Sequence, residues 1–174
     1  MNFYLKIAIE LALYFVEILN LLINILPTIF KKIFLKIILK KFSLSCFVDQ
    51  NIFIRNPINL SISKNCSINR GCNFFTAFRN SYSGSIELEE NVTLSPNVKI
   101  YAIAQDPHSK NFDTITKPVL IKKNAWICAD VTILPGVIVG ENAVVASKSV
   151  VNSLVNENEI WGGNPAKFIK KRNN

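Results

Sequence analysis

A single imidazole stands in 174 residues, that of His108, and it narrows the chemistry open to this chain. An imidazole with an ordinary pKa of about 6.5 is largely neutral at pH 7 and can take a proton from a hydroxyl. Its surroundings read Gln105-Asp106-Pro107-His108-Ser109. Asp106 offers a carboxylate that could orient the ring, whereas the Gln105 amide cannot act as a base. A lone histidine in a polar loop is just as readily a solvated surface group, so the elements that carry it must decide. One histidine also excludes a zinc site built from three. The four cysteines, Cys46, Cys66, Cys72 and Cys128, show no CxxC spacing. They read as small buried hydrophobes in a reducing compartment, with no metal.

The elements around His108 follow a period of six. Ile121, Ile127, Ile133, Val139, Val145 and Val151 form one ladder, and four positions after the first five stand Ala125, Val131, Val137, Ala143 and Ser149. Neither a helix at 3.6 nor a half-buried strand at 2 gives this spacing. Hexapeptide repeats of a parallel β-helix do, each being one short strand and a turn. Three repeats close a triangular coil, so Ile121 should stack under Val139, Ile127 under Val145 and Ile133 under Val151. The register returns upstream in Leu88, Leu94 and Ile100 and in Ile62, Ile68 and Phe74, with Val92, Val98, Cys66 and Cys72 in the small-residue position. Val48 and Ile54 open the first coil, and Pro57 breaks the phase.

The solenoid is therefore expected over 46–155 as five or six coils. It is interrupted at 75–86 and by an extruded loop at 101–118 that holds His108. Insertions are tolerated because the coils above and below a loop still stack, and such loops are where a repeat scaffold carries chemistry. Residues 1–45 form an N-terminal appendage and 156–174 a C-terminal tail. The net charge is +8, concentrated in Lys31, Lys32, Lys36, Lys40 and Lys41 and again in Lys167, Lys170, Lys171 and Arg172. Neither cluster interleaves with aromatics along one surface, which argues against nucleic acid. The abundant Asn, Lys, Ile and Phe read as compositional drift.

In the appendage, Asn2, Lys6, Glu10, Glu17, Asn20 and Asn24 fall within about 80° of one helix face. Tyr14 lies just outside that arc, Leu13 is an apolar exception inside it, and Pro27 ends the helix. Over 30–42 a second helix sets Lys32, Lys36 and Lys40 against Phe34, Ile37, Ile38 and Phe42, a basic amphipathic pattern suited to anionic headgroups. Residues 1–42 are thus expected to bind a membrane, spanning it or lying in its plane. The lysines would hold the solenoid on the cytoplasmic side. Glu10 and Glu17 interrupt the apolar core and no A-x-A-like site follows, against a signal peptide. The alternative is a helical cap packed on the solenoid.

The stretch 118–169, PVLIKKNAWICADVTILPGVIVGENAVVASKSVVNSLVNENEIWGGNPAKFI, resembles the hexapeptide-repeat O-acetyltransferases. These include galactoside, maltose and nodulation acetyltransferases and those of colanic-acid and O-antigen synthesis. AWIC-AD, ILPGVIVG, AVVASKSVV and GNPAKFI carry the likeness. It implies an all-β, left-handed parallel β-helix, preceded here by a helical membrane-associated segment, that assembles as a homotrimer. It implies acetyl-CoA as co-substrate and a sugar or lipid-linked sugar acceptor. Trp126 matches the tryptophan beside the acyl site. Ala129 and Ser147 match positions whose main chain contacts the pantetheine arm and thioester. Lys167 and Lys170 match basic residues near the 3′-phosphate of CoA.

The resemblance also implies a loop histidine as general base for direct attack of the acceptor hydroxyl on the thioester, with a backbone N–H holding the oxyanion and no metal or acyl-enzyme. Here that base is His108, with Asp106 orienting it. Two departures stand out. Relatives often read H-D-P-x-S-x-x-F, and counting from Ser95-Pro96-Asn97 puts their histidine slot on Gln105, three residues before His108. Cys128 also replaces the glycine of the W-I-G motif. The expected function is acetyl-CoA-dependent O-acetylation of a sugar in surface polysaccharide or lipopolysaccharide synthesis, at the cytoplasmic face of the inner membrane. The alternative is a weak or inactive trimeric scaffold of the same fold.

Overall fold

Six-residue spacing becomes three parallel faces in the computed structural model, which describes residues 3–78 and 82–173. The first face stacks Lys41–Phe42, Leu60–Ile62, Ile86–Leu88, Val119–Ile121 and Ile138–Val139. The second stacks Phe47–Val48, Ser67–Ile68, Thr93–Leu94, Trp126–Ile127, Val144–Val145 and Glu159–Gly163, and the third Phe53–Ile54, Asn73–Phe75, Lys99–Tyr101, Thr132–Ile133 and Val150–Val151. Each bend at a corner carries the chain to the next face, and successive coils pair in parallel. Ile121 pairs beside Val139, Ile127 beside Val145 and Ile133 beside Val151, as the eighteen-residue stacking requires. These six, with Leu88, Leu94 and Ile100 above them, are fully buried. Side chains from all three faces meet along the axis, so every coil contributes to one continuous core.

The corners close because their third residue adopts a left-handed backbone. Asn65, Asn91, Asn124, Asn142 and Asn158 do so between the first and second faces; Asn51, Gly71, Asn97, Asp130 and Lys148 do so between the second and third. Asparagine and aspartate tolerate this region because a short polar side chain bonds locally. Their amides also bridge coils: Asn91 Nδ2 donates to Asn124 Oδ1 at 3.0 Å, Asn97 Nδ2 to Asp130 Oδ1 at 3.1 Å and Asn142 Nδ2 to Asn158 Oδ1 at 3.1 Å. The asparagine content read above as drift is thus structural. The next residue in each corner is the small buried one, Cys66, Val92, Ala125 and Ala143 among them.

Boundaries shift at both ends. The first coil opens at Lys41–Phe42 rather than at 46, because Phe42 turns inward beside Ile62 and is buried. The second helix correspondingly ends at Ile38 and does not reach 42. At the other end, 156–173 is no loose tail. Glu159–Gly163 extends the second face and Ala166–Lys171 folds back on it antiparallel, with Trp161 packed against the end of the core.

Helix α1 (Phe3–Ile25) and helix α2 (Thr28–Ile38) cover the open first coil. An uncovered coil would expose a row of strand N–H and C=O groups. Asn20 accepts from the Ile54 N–H at 2.7 Å and donates to its carbonyl at 3.0 Å; Asn24 does the same to Ile52 at 3.0 and 3.1 Å. Four residues apart, the two amides reach alternate residues of one strand. Lys31, Lys32 and Lys36 donate to the carbonyls of Asp49, Leu44 and Phe42. Lys31 is buried, and burial pushes its ammonium below the ordinary value while Asp49 pulls it back.

Lysines expected at lipid headgroups therefore satisfy the solenoid edge, and the asparagine end of the polar arc faces inward. Exposed on the outside are many apolar residues, Ile7, Leu11, Phe15, Ile18, Leu22 and Ile25 of α1 and Ile29, Phe30, Ile33 and Ile37 of α2, together with Glu10, Glu17 and Lys36. Asn2 lies outside the described residues. No helix among the described residues is long and apolar enough to cross a membrane.

Candidate active site

Two corners carry the residues singled out by sequence, and they differ in build. The corner between the third and first faces holds every insertion. After Lys99–Tyr101 the chain leaves it as an antiparallel hairpin, Ile103–Gln105 against Thr114–Thr116, with Gln105 opposite Thr114. Its tip is tied by the Asp106 N–H to the Asp113 carbonyl at 2.8 Å and by the Ser109 hydroxyl to the Asp113 carboxylate. Asp106 Oδ1 accepts the backbone N–H of His108 at 2.9 Å, so in this conformation the carboxylate shapes the turn rather than the ring. His108 is exposed at the tip.

Gln105, three residues earlier, lines a cavity of about 560 Å³ between the hairpin and the third face, together with Arg55, Phe75, Tyr101, Thr132 and Leu134. Phe75 and Tyr101 stack with centroids 4.4 Å apart and planes within 4°, a flat apolar wall. Sequence reasoning missed this wall. Its signal was the outward residue directly after each inward one on the third face: Arg55 after Ile54, Phe75 after Phe74, Tyr101 after Ile100.

The corner between the second and third faces has no insertion. Here Ala129 and Ser147 stand one coil apart, the Ala129 carbonyl taking the Lys148 N–H at 3.0 Å. Ser147 is exposed. Trp126, just before the corner, is 47% exposed and its Nε1–H donates to Ser95 Oγ at 3.0 Å, which ties the indole to the neighbouring coil on the outer surface. Cys128 sits against Ser147; burial raises its thiol and the serine hydroxyl offsets part of that rise. The other thiols are inside: burial pushes Cys72 up to about 12, while a mutual hydrogen bond raises Cys66, with burial adding to it, and lowers Cys46. All four cysteines are free. Lys167 and Lys170 lie exposed on the last strand, and Lys170 shares a surface cavity of about 470 Å³ with Lys171 and Arg172. No group of three or more His, Cys, Asp or Glu among the described residues is placed to hold a metal ion.

The structure thus brings Trp126, Ala129 and Ser147 to one corner and Gln105, Asp106 and His108 to another. One chain does not unite them. Residues 118–153 match the model of the bacterial transferase hexapeptide, six repeats. The chain belongs to the hexapeptide-repeat transferase family. This hexapeptide-repeat chain is 29% identical over 131 residues to the galactoside O-acetyltransferase of Escherichia coli K12, covering 72% of its own length and 64% of the relative's. It therefore spans less than two thirds of that curated relative. Its fold matches a maltose O-acetyltransferase from Clostridium difficile 630 with a TM-score of 0.82 at 28% identity, covering 94% of this chain and 87% of that one. A hexapeptide-repeat acetyltransferase of Vibrio cholerae O1 biovar eltor, complexed with acetyl-CoA, shares the fold at a TM-score of 0.83 and 23% identity, over 96% and 90% of the two chains.

Proposed function

We propose that this chain transfers the acetyl group of acetyl-CoA to a hydroxyl of a sugar. The observation that carries the reading is the uninterrupted corner with the Trp126 indole outside it and Ala129 and Ser147 stacked along it. An extended thiol arm fits such a straight groove, and Lys167, opposite Gly162, lies at its end for a phosphate, with Lys170 farther along the strand opposite Ile160. The galactoside and maltose enzymes it resembles support the reaction class, and the acetyl-CoA complex of the Vibrio protein supports the donor.

The chemistry needs no more than positioning and a base. His108 takes the hydroxyl proton as the oxygen attacks the thioester carbon. A backbone N–H holds the oxyanion, then the C–S bond breaks and the thiolate leaves with a proton as CoA. Because the hairpin and the uninterrupted corner lie on different edges of the third face, the full site calls for a homotrimer in which one copy's hairpin meets its neighbour's corner. The outward apolar faces of α1 and α2 suit in-plane attachment to the cytoplasmic face of the inner membrane. Lipid-linked precursors of surface polysaccharide or lipopolysaccharide would be encountered there.

A second reading is favoured by one observation: Gln105, not an imidazole, lines the cavity. In that reading the protein is a non-catalytic trimeric scaffold. Free-thiol release from acetyl-CoA against a panel of sugars separates the two. Acceptor-dependent release supports the enzyme, and none from a folded, acetyl-CoA-binding trimer supports the scaffold. Light scattering of detergent-solubilised protein should give three subunits, and a stable monomer that binds acetyl-CoA overturns the shared site.

A further inference from the structure

Arg55 stands between two cavities of opposite character. On one side is the hairpin cavity with Gln105 and Tyr101. On the other is an apolar groove of about 440 Å³ under the helices, walled by Phe15, Val16, Leu19, Ile38, Ile58 and Phe78, with Arg55 in its lining as well. The far wall is built, not draped. Asn56 Nδ2 donates to the carbonyls of Ala77 and Phe78 at 2.7 and 3.0 Å, and Asn59 Nδ2 adds a bond to Ala77 at 2.9 Å. The Arg55 guanidinium lies 4.2 Å over the Phe78 ring. The ion pairs among the described residues, Lys64–Glu90 and Lys123–Glu141, leave Arg55 without a carboxylate. Burial already pushes its guanidinium below the ordinary value. A half-buried cation of this kind is stabilised by an anion, and a planar guanidinium fits a phosphate best.

We infer that the groove and Arg55 form one subsite for an amphiphilic acceptor, whose hydrocarbon chain lies under α1 and whose phosphate meets Arg55. The hydroxyl-bearing head then falls in the hairpin cavity. A soluble sugar explains neither the apolar groove nor the cation at its junction. The exposed apolar faces of α1 and α2, continuous with the groove through Phe15 and Ile37, would open it toward a lipid surface. The inference names the substrate class of the transferase reading and rests on it only for where the head points.

Binding measures it without turnover. Full-length protein and its variants are titrated by calorimetry with dodecyl phosphate, inorganic phosphate and acetyl-CoA in one neutral detergent, so that partitioning cancels between variants. Arg55→Gln should weaken dodecyl phosphate about tenfold or more, Arg55→Lys should recover part of the loss, and acetyl-CoA affinity should not move. Val16→Trp, which fills the groove, should weaken dodecyl phosphate but not inorganic phosphate. Equal dodecyl phosphate affinity in wild type and Arg55→Gln overturns the subsite. So does inorganic phosphate binding as tightly as dodecyl phosphate, or a loss of acetyl-CoA affinity in Arg55→Gln, which would put the arginine in the donor site. If Arg55→Gln fails to fold, unchanged dodecyl phosphate binding in Val16→Trp overturns it alone. Absence of acetyl transfer would sink the transferase reading and leave the binding result standing.

Discussion

The corner between the second and third faces repeats without a single inserted residue, while the corner between the third and first faces takes all of them. At the first, 49–52, 69–72, 95–98, 128–131 and 146–149 are superposable four-residue turns, each with its left-handed third residue. At the other lie the turn Pro57–Asn59, the segment 76–85 and the hairpin. A regular edge makes a straight groove suited to a linear ligand, and an irregular edge makes a shaped cavity. Pairing is carried by the strands, so one edge can vary freely only while the faces on either side stay in register. The difference separates binding of a common donor from recognition of a particular acceptor.

The sharpest way to break that contrast is to move an insertion. One glycine added between Ala129 and Asp130 should shift Thr132 and Ile133 out of register, turn the inward ladder outward and abolish folding, a loss of more than about 4 kcal/mol. One glycine added between Lys110 and Asn111 at the hairpin tip should change the thermal midpoint by no more than a few degrees. Circular dichroism melts check both, and equal effects would mean that the two edges are not mechanically distinct.

His108→Ala tests the chemistry assigned to the irregular edge. It should lower kcat by about 10²–10⁴ and leave acetyl-CoA binding nearly intact, since only general-base help is lost. Gln105→His is its companion. A large gain there, with no effect of His108→Ala, would make His108 a bystander and the natural protein a weak enzyme.

A smaller effect follows from pH at the regular edge. Cys72 is raised from 9.0 to about 12 by burial. Between those values the unfolded chain gives up the thiol proton and the native one keeps it, so stability present below pH 9 declines as pH rises toward 12. Lys31, lowered by burial, works in the opposite direction on approaching 10.5 from below. Urea midpoints at pH 8 and pH 10.5 should therefore be compared between wild type and Cys72→Val, with Lys31 common to both. The decline should be shallower in the variant, and parallel lines would remove Cys72 from the balance.

The smallest expected change sharpens the corner argument. Asn124→Ala should cost about 1 kcal/mol, from the left-handed backbone and the lost bond to Asn91, and Asn124→Gly appreciably less. Denaturant titration decides; equal losses would assign the whole cost to the side-chain bond.

Legibility followed the repeat. Every ladder residue from Ile62 to Val151 and every small corner residue was readable, because its partner eighteen or more residues away obeys the same local pattern. The left-handed asparagines were equally present in the sequence but passed as composition, since their spacing means something only once a corner is assigned to them. The Trp126 corner was legible through its motif. The Arg55, Phe75 and Tyr101 wall was not, because the insertions between them hide the fact that they share one face.

The sequence by itself determined the coil, its inward residues and the segments that must leave it, because in a solenoid local periodicity is also long-range pairing. Only the tertiary structure decided how the N-terminal helices lie. An amphipathic arc states that two sides differ, not which side meets the protein. The open first coil needed donors and acceptors as well as apolar cover, so Asn20, Asn24 and Lys31 turned inward beside Leu19, Ile23 and Leu35, and the remaining aliphatic residues were left outside. The same packing set Arg55 between a polar cavity and an apolar groove, a juxtaposition of segments far apart in the chain that no local pattern encodes.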